Sequence, residues 1–458
     1  MSICSINPAT GTTERTFDPL SDDQIDSALA RAAAAYHEWR KVPIDQRAAL
    51  MCAAADLLER EVNTSAQLIT VEMGKPIAAS RGEVLKSAGT MRFYANRAAD
   101  FLAEEPLASP AEVGATSAYA RYEPIGPVLA VMPWNYPVWQ VIRFAAPALM
   151  AGNTAVLKHA SNVPQTAMYL EDLFRRAGFP DGAFITLLIG ARQVEQVIRD
   201  RRIAAVTLTG SEPAGRSVAS IAGDEIKKSV LELGGADPFI VMPSADLEAA
   251  VDMAVIARTA NNGQACINAK RFIVHHDVYE RFTALFAERM GGLAMGDPLE
   301  ESTDLGPLAT ESGRKEIQGL VDDAKAQGAR VLLGGDVPDG AGWFYPATII
   351  DRIPQSARLN REEAFGPVAS VFEVGSVEEA IAVANDSDFG LGSAAWTGEE
   401  SEATKFIEDL QAGSVTINGM TMSYPQLPFG GIKRSGYGRE LAASGIREFC
   451  NLKTILRR

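Results

Sequence analysis

The spacing of apolar residues changes along the chain, and the change predicts two kinds of element. Between about residues 22 and 100, apolar positions recur every three or four residues, as in DDQIDSALARAAAAYHEWR, and this spacing predicts helices. From residue 128, short apolar runs such as VLAVM, TAVLK, AAVTLTG and PFIVM alternate with helix-like stretches. A second series starts near residue 247 and continues to GSVTING at 413–419. This alternation is typical of βαβ units, so two α/β domains with buried parallel sheets are expected.

One stretch between the helical region and the first predicted sheet fits neither pattern. The residues AEEPLASPAEVGATSAYARYEPIG are rich in Ala, Pro and Ser and carry no helical stripe of apolar positions. We expect this stretch to leave the body of its domain as an excursion.

Size and charge narrow the classes of protein to consider. The chain has 458 residues, of which 47% are hydrophobic, enough for two or three domains at the usual ~150 residues each. Its 58 acidic and 43 basic residues give a net charge of −15, which would repel nucleic acid, and no basic cluster offsets it. The chain start has no basic segment followed by an apolar core, and no run of ~18 apolar residues occurs. We therefore expect a cytoplasmic protein with no nucleic-acid or membrane partner.

Cysteine and histidine spacing argues against metal and disulfide chemistry. The cysteines lie far apart with no C-x-x-C pair, which indicates reduced thiols at Cys4, Cys52, Cys266 and Cys450. None of the four histidines forms H-E-x-x-H or another clear ligand spacing. No metal site is expected.

Two short stretches carry candidate chemistry, and each allows a plainer interpretation. In ANNGQACINAKRF, Cys266 is either a nucleophile or an inert buried thiol, since free cysteines usually behave as small hydrophobic residues. In LTGSEPAG, a predicted strand runs into Gly210, Ser211 and Gly215 ahead of a helical stretch. Backbone amides at such a helix start bind phosphate, but strand-to-helix turns with glycines are also common.

Six motifs together resemble those of the aldehyde dehydrogenase family, in its order and approximate spacing. They are PWNYP (133–137), LELGG (231–235), NNGQACINAKRF (261–272), EEAFGPV (362–368), GSVTING (413–419) and PFGGIKRSGYGRE (428–440). The resemblance implies an α/β fold with two Rossmann-like parallel-sheet domains and a small oligomerisation arm. It places the cofactor-binding domain at 1–104 and 122–234, the catalytic domain at 235–436, and the arm at 105–121 and 437–458. The arm implies a homodimer or homotetramer.

The resemblance also implies how an aldehyde would be oxidised. Cys266 matches the family nucleophile, whose thiolate adds to the carbonyl; hydride then leaves the thiohemiacetal for a nicotinamide ring and a thioester forms. Asn135 and the backbone N–H of Cys266 match the donors that stabilise the oxyanion. Glu232 matches the general base for the water that hydrolyses the thioester, so a free acid is the expected product. The plainer interpretations are a turn residue for Asn135 and a solvated carboxylate for Glu232.

Cofactor contacts follow from the same resemblance. The matching positions are Trp134, Gly210 and Ser211 near the pyrophosphate, Lys158 at a ribose, and Leu233, Glu363 and Phe365 towards the nicotinamide end. In VLKHASN, Ser161 stands where relatives that prefer NAD have a glutamate that binds the ribose hydroxyls. A serine can donate a hydrogen bond to a 2′-phosphate, with Lys158 as counter-charge. We therefore expect NADP, while a neutral Ser161 that accepts both NADP and NAD stays open.

The substrate expectation rests on the members of the family that act on succinic semialdehyde. Arg143, in the predicted helix after Asn135, is the candidate cation for the substrate carboxylate, and Gln140 and Ser423 match positions that line the pocket. Arg143 as a structural partner of a nearby carboxylate remains the alternative. Another small aliphatic aldehyde is an alternative substrate. A cysteine hydrolase that uses no nicotinamide is the alternative of a different class, and it would require a histidine beside Cys266.

Overall fold

The computed structural model describes residues 3–458, and the first hundred residues are largely helical, as predicted. A hairpin of β1 (Ile3–Ile6) and β2 (Thr13–Phe17) is followed by four helices: α1 (Asp22–Trp39), α2 (Ile44–Arg60), α3 (Val62–Met73) and α4 (Ile77–Phe101). Helix α1 begins at a capping box, in which the side chains of Ser21 and Gln24 each accept the backbone N–H of the other. Helix α3 ends at Gly74, which has a left-handed φ of 77°. A side chain there would meet the Pro307 carbonyl oxygen at 2.7 Å.

The predicted excursion lies outside the sheets of the two domains and includes a single 3-10 turn at Pro110–Val113. It contains β3 (Glu105–Pro106) and β4 (Ser117–Pro124), which pair antiparallel.

The first series of alternating elements follows the excursion. It comprises β5 (Pro127–Met132), α5 (Trp139–Ala151), β6 (Thr154–His159), α6 (Pro164–Arg176), β7 (Phe184–Thr186), α7 (Val194–Arg199), β8 (Ala205–Thr209), α8 (Glu212–Asp224) and β9 (Lys228–Glu232). The strands of this series are almost entirely buried, as expected for a parallel sheet that helices cover on both faces.

The second series starts immediately after the LELGG motif. It comprises β10 (Asp237–Val241), α9 (Leu247–Thr259), β11 (Ala269–His275), α10 (His276–Gly291), α11 (Glu311–Ala326), β12 (Arg330–Leu333), β13 (Thr348–Asp351), β14 (Val368–Val374), α12 (Val377–Asn385), β15 (Phe389–Gly390), β16 (Gly392–Trp396), α13 (Glu400–Asp409) and β17 (Ser414–Ile417). The chain ends with β18 (Ile432–Lys433), β19 (Gly436–Tyr437), α14 (Ala442–Glu448) and β20 (Cys450–Arg457).

These strands form two large, mainly parallel sheets, which confirms the predicted fold class. The first sheet has the order β19-β9-β8-β5-β6-β7, and only β19 is antiparallel to its neighbour. The second has the order β12-β13-β14-β11-β10-β16-β17, and only β12 is antiparallel. No helix among residues 3–458 has the length and apolar character needed to cross a membrane.

Two details differ from the sequence-based expectation. The periodicity groups PFIVM with the first series, but as β10 it lies in the middle of the second sheet, within the 235–436 range that the resemblance implies for the catalytic domain. The three-stranded sheet of the excursion takes only β20 from the C-terminal segment, with order β20-β4-β3. Residues 437–449 do not all belong to the arm, because β19 pairs with β9 of the first sheet and α14 packs on α4 and α5.

Candidate active site

The order of the first sheet places a crevice at the carboxyl ends of β5 and β8. Strands β6 and β7 extend the sheet on one side of β5, and β8 and β9 extend it on the other. Such a reversal opens a cleft in which α/β proteins bind ligands. Trp134 and Asn135 follow β5, and Gly210 and Ser211 follow β8, so the topology brings these two motifs together.

A cavity of about 640 Å³ occupies this crevice and collects most of the predicted cofactor residues. Its volume lies in the usual range for a small-molecule site. Among the residues that line it are Trp134, Asn135, Gly210, Ser211, Leu233, Cys266, Glu363 and Phe365. The rings of Trp134 and Phe365 meet edge to face, with centroids 5.6 Å apart.

The start of helix α8 is suited to an anion. Ser211 is the N-cap residue, and its side chain makes no capping hydrogen bond, so its hydroxyl is available to a ligand beside the first N–H groups of the helix. Gly215 allows the helix to approach Leu233 closely, since a Cβ there would lie 2.6 Å from Leu233 Cδ2. The structure therefore shows why LTGSEPAG has glycine at this position.

Lys158 and Ser161 lie one strand further along and do not line this cavity. Lys158 is in β6 opposite Val131 of β5 and is 8% exposed, and burial lowers its pKa. Within residues 3–458, no carboxylate forms an ion pair with it. The Ser161 carbonyl accepts the Cys4 N–H at 3.1 Å. A buried ammonium without a carboxylate, three residues along the chain from a serine, is the kind of donor set that fits a phosphate.

A second cavity, of about 330 Å³, lies on the other side of Cys266. It is lined by all three predicted substrate residues, Gln140, Arg143 and Ser423, and by Cys266 itself. The lining is mainly apolar, with Trp139 and Phe429 among its walls. Cys266 thus lies where the two cavities meet, with the predicted cofactor residues on one side and the predicted substrate residues on the other.

The loop that carries Cys266 is fixed from both sides. Lys270 Nζ donates to the Cys266 carbonyl at 2.6 Å and forms an ion pair with Glu363 at 3.1 Å. Gly235 allows a close approach, because a Cβ there would lie 2.6 Å from the Cys266 carbonyl oxygen. Burial raises the pKa of the Cys266 thiol to about 12, although Lys270 and Arg143 act in the opposite direction. The isolated site therefore holds a neutral thiol, and a base is required to form the thiolate.

Asn135 is held next to this loop by two hydrogen bonds. Its side-chain amide donates to the Gln264 backbone carbonyl at 3.0 Å. The backbone carbonyl of Asn135 accepts a hydrogen bond from the Asn261 side-chain amide at 2.8 Å. Asn261 has the left-handed φ of 57°, which the compact turn before Cys266 requires. An amide nitrogen carries two N–H donors, so one remains for a ligand.

Glu232 ends β9 and is buried, but its carboxyl group lines neither cavity. No hydrogen-bond partner of either carboxyl oxygen is found within the described part of the chain. Burial raises its pKa, the nearby Glu440 adds to the increase, and Arg143 opposes it. A Cβ at Gly430 would lie 2.9 Å from Glu232 Oε1, so this glycine makes room for the carboxyl group. To act on Cys266, the side chain must turn towards the cavities.

Arg143 has a carboxylate partner inside the protein, which is the alternative that the sequence left open. Its Nε forms an ion pair with Glu440, and both side chains are buried. Its guanidinium also lies 5.0 Å from the centre of the Phe429 ring and donates to Thr209 Oγ1 at 3.3 Å. Arg143 still lines the substrate cavity, but Glu440 already opposes its charge.

Several residues of the site were missed from the sequence. Glu440 ends the motif PFGGIKRSGYGRE, so its motif position was a usable signal. Lys75, Glu83 and Lys86 line the substrate cavity from α4 and the turn before it, and no motif marks them. His159 accepts the Ala160 N–H at Nδ1, so its Nε2 donates to the Pro137 carbonyl at 2.9 Å and holds the Asn135 loop against β6.

Comparison with known proteins places the chain in a family. A model of the aldehyde dehydrogenase family matches residues 1–455. The chain is 58% identical over 455 residues to succinate-semialdehyde dehydrogenase [NADP(+)] 1 of Mycobacterium bovis, covering 99% of each chain. It is 59% identical over 456 residues to the protein of the same name from Mycobacterium ulcerans, again covering 99% of each.

Solved structures agree with this placement. The crystal structure of succinic semialdehyde dehydrogenase from Streptococcus pyogenes in complex with NADP+ is similar at a TM-score of 0.96 and 38% identity, over 99% of both chains. The crystal structure of an NADP-dependent enzyme from E. coli matches at a TM-score of 0.96 and 34% identity, over 99% of this chain and 94% of the other. The chain belongs to the aldehyde dehydrogenase family.

Proposed function

We propose that the protein oxidises succinic semialdehyde to succinate with NADP as the hydride acceptor. The observation that carries the proposal is the position of Cys266, which lines both the cofactor cavity and the substrate cavity. A nucleophile at that junction holds the aldehyde carbon next to a hydride acceptor. The relatives at 58–59% identity are named for this substrate and cofactor.

The first half of the reaction uses Cys266, Asn135 and Glu232. Glu232 turns towards Cys266 and takes the thiol proton, and the sulfur then bonds to the aldehyde carbon. The carbonyl oxygen becomes an oxyanion, which accepts hydrogen bonds from the Asn135 amide and the Cys266 N–H. As the hydride leaves this carbon, bound NADP+ would supply its acceptor, held by Trp134, Ser211 and Glu363 of the cofactor cavity. The oxyanion collapses to a carbonyl, and Cys266 holds the acyl group as a thioester.

The second half is hydrolysis of that thioester. Glu232 first releases to solvent the proton that it took from Cys266. The ionised carboxylate then accepts a proton from water as the water oxygen attacks the acyl carbon, and the same two donors stabilise the second oxyanion. The carbon–sulfur bond breaks, succinate leaves and Cys266 regains its proton. The balance is one aldehyde, one NADP+ and one water consumed, with one carboxylic acid, one NADPH and one proton released.

Initial rates with two aldehydes and two cofactors test the proposal. We expect kcat/KM to be highest for succinic semialdehyde with NADP, and lower for butyraldehyde or NAD. Formation of reduced cofactor, followed by its absorbance, should equal the succinate produced. Acid formation without added nicotinamide would instead favour the hydrolase alternative, and a higher rate with butyraldehyde would refute the assigned substrate.

Cofactor choice is tested at Ser161. Ser161→Glu is expected to lower kcat/KM for NADP by about 100-fold or more, because a carboxylate beside a 2′-phosphate costs several kcal/mol. The rate with NAD should fall much less or rise, since a carboxylate can bind ribose hydroxyls. Ser161→Gln has the same size without the charge and is the matched control. Equal losses with both cofactors, or the same effect from Gln, would remove Ser161 from the assignment.

The arm and the cellular location complete the proposal. Strand β20 is the outer strand of its sheet, and Leu452 and Leu456 on it are half exposed, which favours assembly into a homodimer or homotetramer through this edge. Cys52, Cys266 and Cys450 are free thiols, in keeping with the reducing cytoplasm. Light scattering of the wild type and of a Leu452→Lys variant would test whether the protein assembles through the β20 edge. If it does, the variant should have a smaller particle mass than the wild type.

A further inference from the structure

The side chains that line the substrate cavity carry more positive than negative charge. Three cationic side chains line it, Lys75, Lys86 and Arg143, but only one carboxylate, Glu83. Lys75 forms a fully buried ion pair with Glu83. Glu83 also accepts the N–H groups of Val138 and Trp139 at 2.9 Å, at the start of α5. This pair therefore has a structural task and is not available to a substrate.

Arg143 is also neutralised, in its case by Glu440 from outside the cavity lining. Lys86 is the cation that remains. Within residues 3–458, no carboxylate forms an ion pair with its ammonium. Lys86 Nζ instead donates to Ser423 Oγ at 3.0 Å and lies 4.2 Å from the centre of the Trp139 ring.

Burial of an unpaired cation is costly, and the titration of Lys86 reflects that cost. Burial lowers the pKa of Lys86 to about 8, Arg143 and Lys75 add to the decrease, and Glu83 opposes it. The attraction of a carboxylate bound in the cavity would offset both the desolvation of the Lys86 ammonium and its repulsion by the neighbouring cations. A neutral ligand of the same size would not.

We propose that Lys86 selects acid-bearing aldehydes by binding the carboxylate at the far end of the substrate, with Ser423 as a second donor. The inference deepens the proposed function and rests on it. Lys86 projects from α4, and Ser423 lies in the loop after β17, so two separate elements hold the carboxylate while Cys266 reaches the aldehyde end of the same cavity. Arg143 adds to the positive wall, but its charge is largely opposed by Glu440.

The test replaces Lys86 with methionine, which keeps an unbranched apolar stem against Trp139 and removes the charge. We expect kcat/KM for succinic semialdehyde to fall about 30-fold or more, mainly through KM, because one side of a partly buried charge pair is lost. The value for butyraldehyde should change by no more than about threefold, since that substrate has no carboxylate. Lys86→Arg should recover much of the preference. Lys405→Met, on the exposed face of α13, is the matched control and should leave both values unchanged.

A pH series gives a second measurement that a purely structural role would not move. The preference for succinic semialdehyde over butyraldehyde should decrease as pH rises through about 8, because Lys86 loses its proton there. Changes in the protonation of Glu232 and Cys266 alter kcat/KM for both aldehydes alike, so they cancel in the ratio of the two kcat/KM values. In Lys86→Met, the ratio should be low at every pH.

The outcomes separate this inference from the proposed function. A wild type that does not prefer succinic semialdehyde over butyraldehyde would overturn the proposed function itself. A wild type with that preference, and a Lys86→Met variant that retains it, would overturn the role of Lys86 and leave Arg143 as the anchor. Equal losses on both aldehydes in Lys86→Met would also overturn it, because the side chain would then support the helix rather than the carboxylate.

Discussion

Replacement of Cys266 by alanine is expected to lower kcat for aldehyde oxidation by about 10⁴-fold or more, because no other group can form the covalent adduct. Cys266 lies where the two cavities meet, so its loss removes the bond that turns the aldehyde into a hydride donor. Cofactor binding should survive, since all the other side chains that line the cofactor cavity are untouched. Stopped-flow formation of reduced cofactor measures the rate, and quenching of tryptophan fluorescence measures cofactor affinity.

Cys52→Ala is the matched control for that experiment. Cys52 lies in α2, is partly buried like Cys266, and lines neither of the two cavities. It should retain wild-type kcat with both substrates. A Cys266→Ala enzyme that still oxidised aldehyde at a measurable fraction of the wild-type rate would show that hydride leaves without a thiohemiacetal.

The fold was predictable from the chain because buried parallel strands are nearly continuous apolar runs. That signal located β5, β6 and β8 directly. The apolar pattern does not say which sheet each strand joins, so periodicity alone groups PFIVM with the series that precedes it along the chain. The sheets change at LELGG, where Gly235 lets the backbone pass the Cys266 carbonyl, and this long-range contact leaves no periodic pattern.

The same distinction applies to the residues of the candidate site: those in local motifs are predictable from the sequence, and those that depend on contacts distant along the chain are not. Cys266, Asn135 and Glu232 are found from motifs because each lies at a fixed turn or strand end. The pairing of Arg143 with Glu440 depends on packing between α5 and the C-terminal segment, which the sequence does not reveal. Lys86 was missed for a related reason. On a helix with exposed and buried faces, a lysine that faces a cavity has the same local sequence context as one that faces water.

The second large effect is expected at Glu232, where Glu232→Gln should separate the two halves of the reaction. A glutamine cannot accept a proton from water, so steady-state kcat should fall by about 10²–10⁴-fold, the usual contribution of a general base. A first turnover should still release close to one reduced cofactor per active site, but more slowly than in the wild type, because Glu232 also takes the thiol proton. A quenched-flow experiment measures the burst amplitude and the later rate on the same sample.

The pH dependence of kcat follows from the environment of the same carboxyl group. The Glu232 carboxyl group can act as a base only when it is ionised, and the ionised form predominates only above its pKa. Burial raises that pKa well above the ordinary glutamate value of about 4.3. The wild-type kcat should therefore rise with pH along a limb shifted upward from the ordinary value, and Glu232→Gln should lack that limb.

Glu440→Gln tests whether this limb belongs to Glu232. The substitution removes a neighbouring negative charge and leaves Arg143 without its carboxylate, and both changes favour the ionised form of Glu232. The kcat limb should move to lower pH, while the Glu232→Gln profile stays flat. A limb that stays in place in Glu440→Gln, or one that persists in Glu232→Gln, would assign it to a different group and refute Glu232 as the base for thioester hydrolysis.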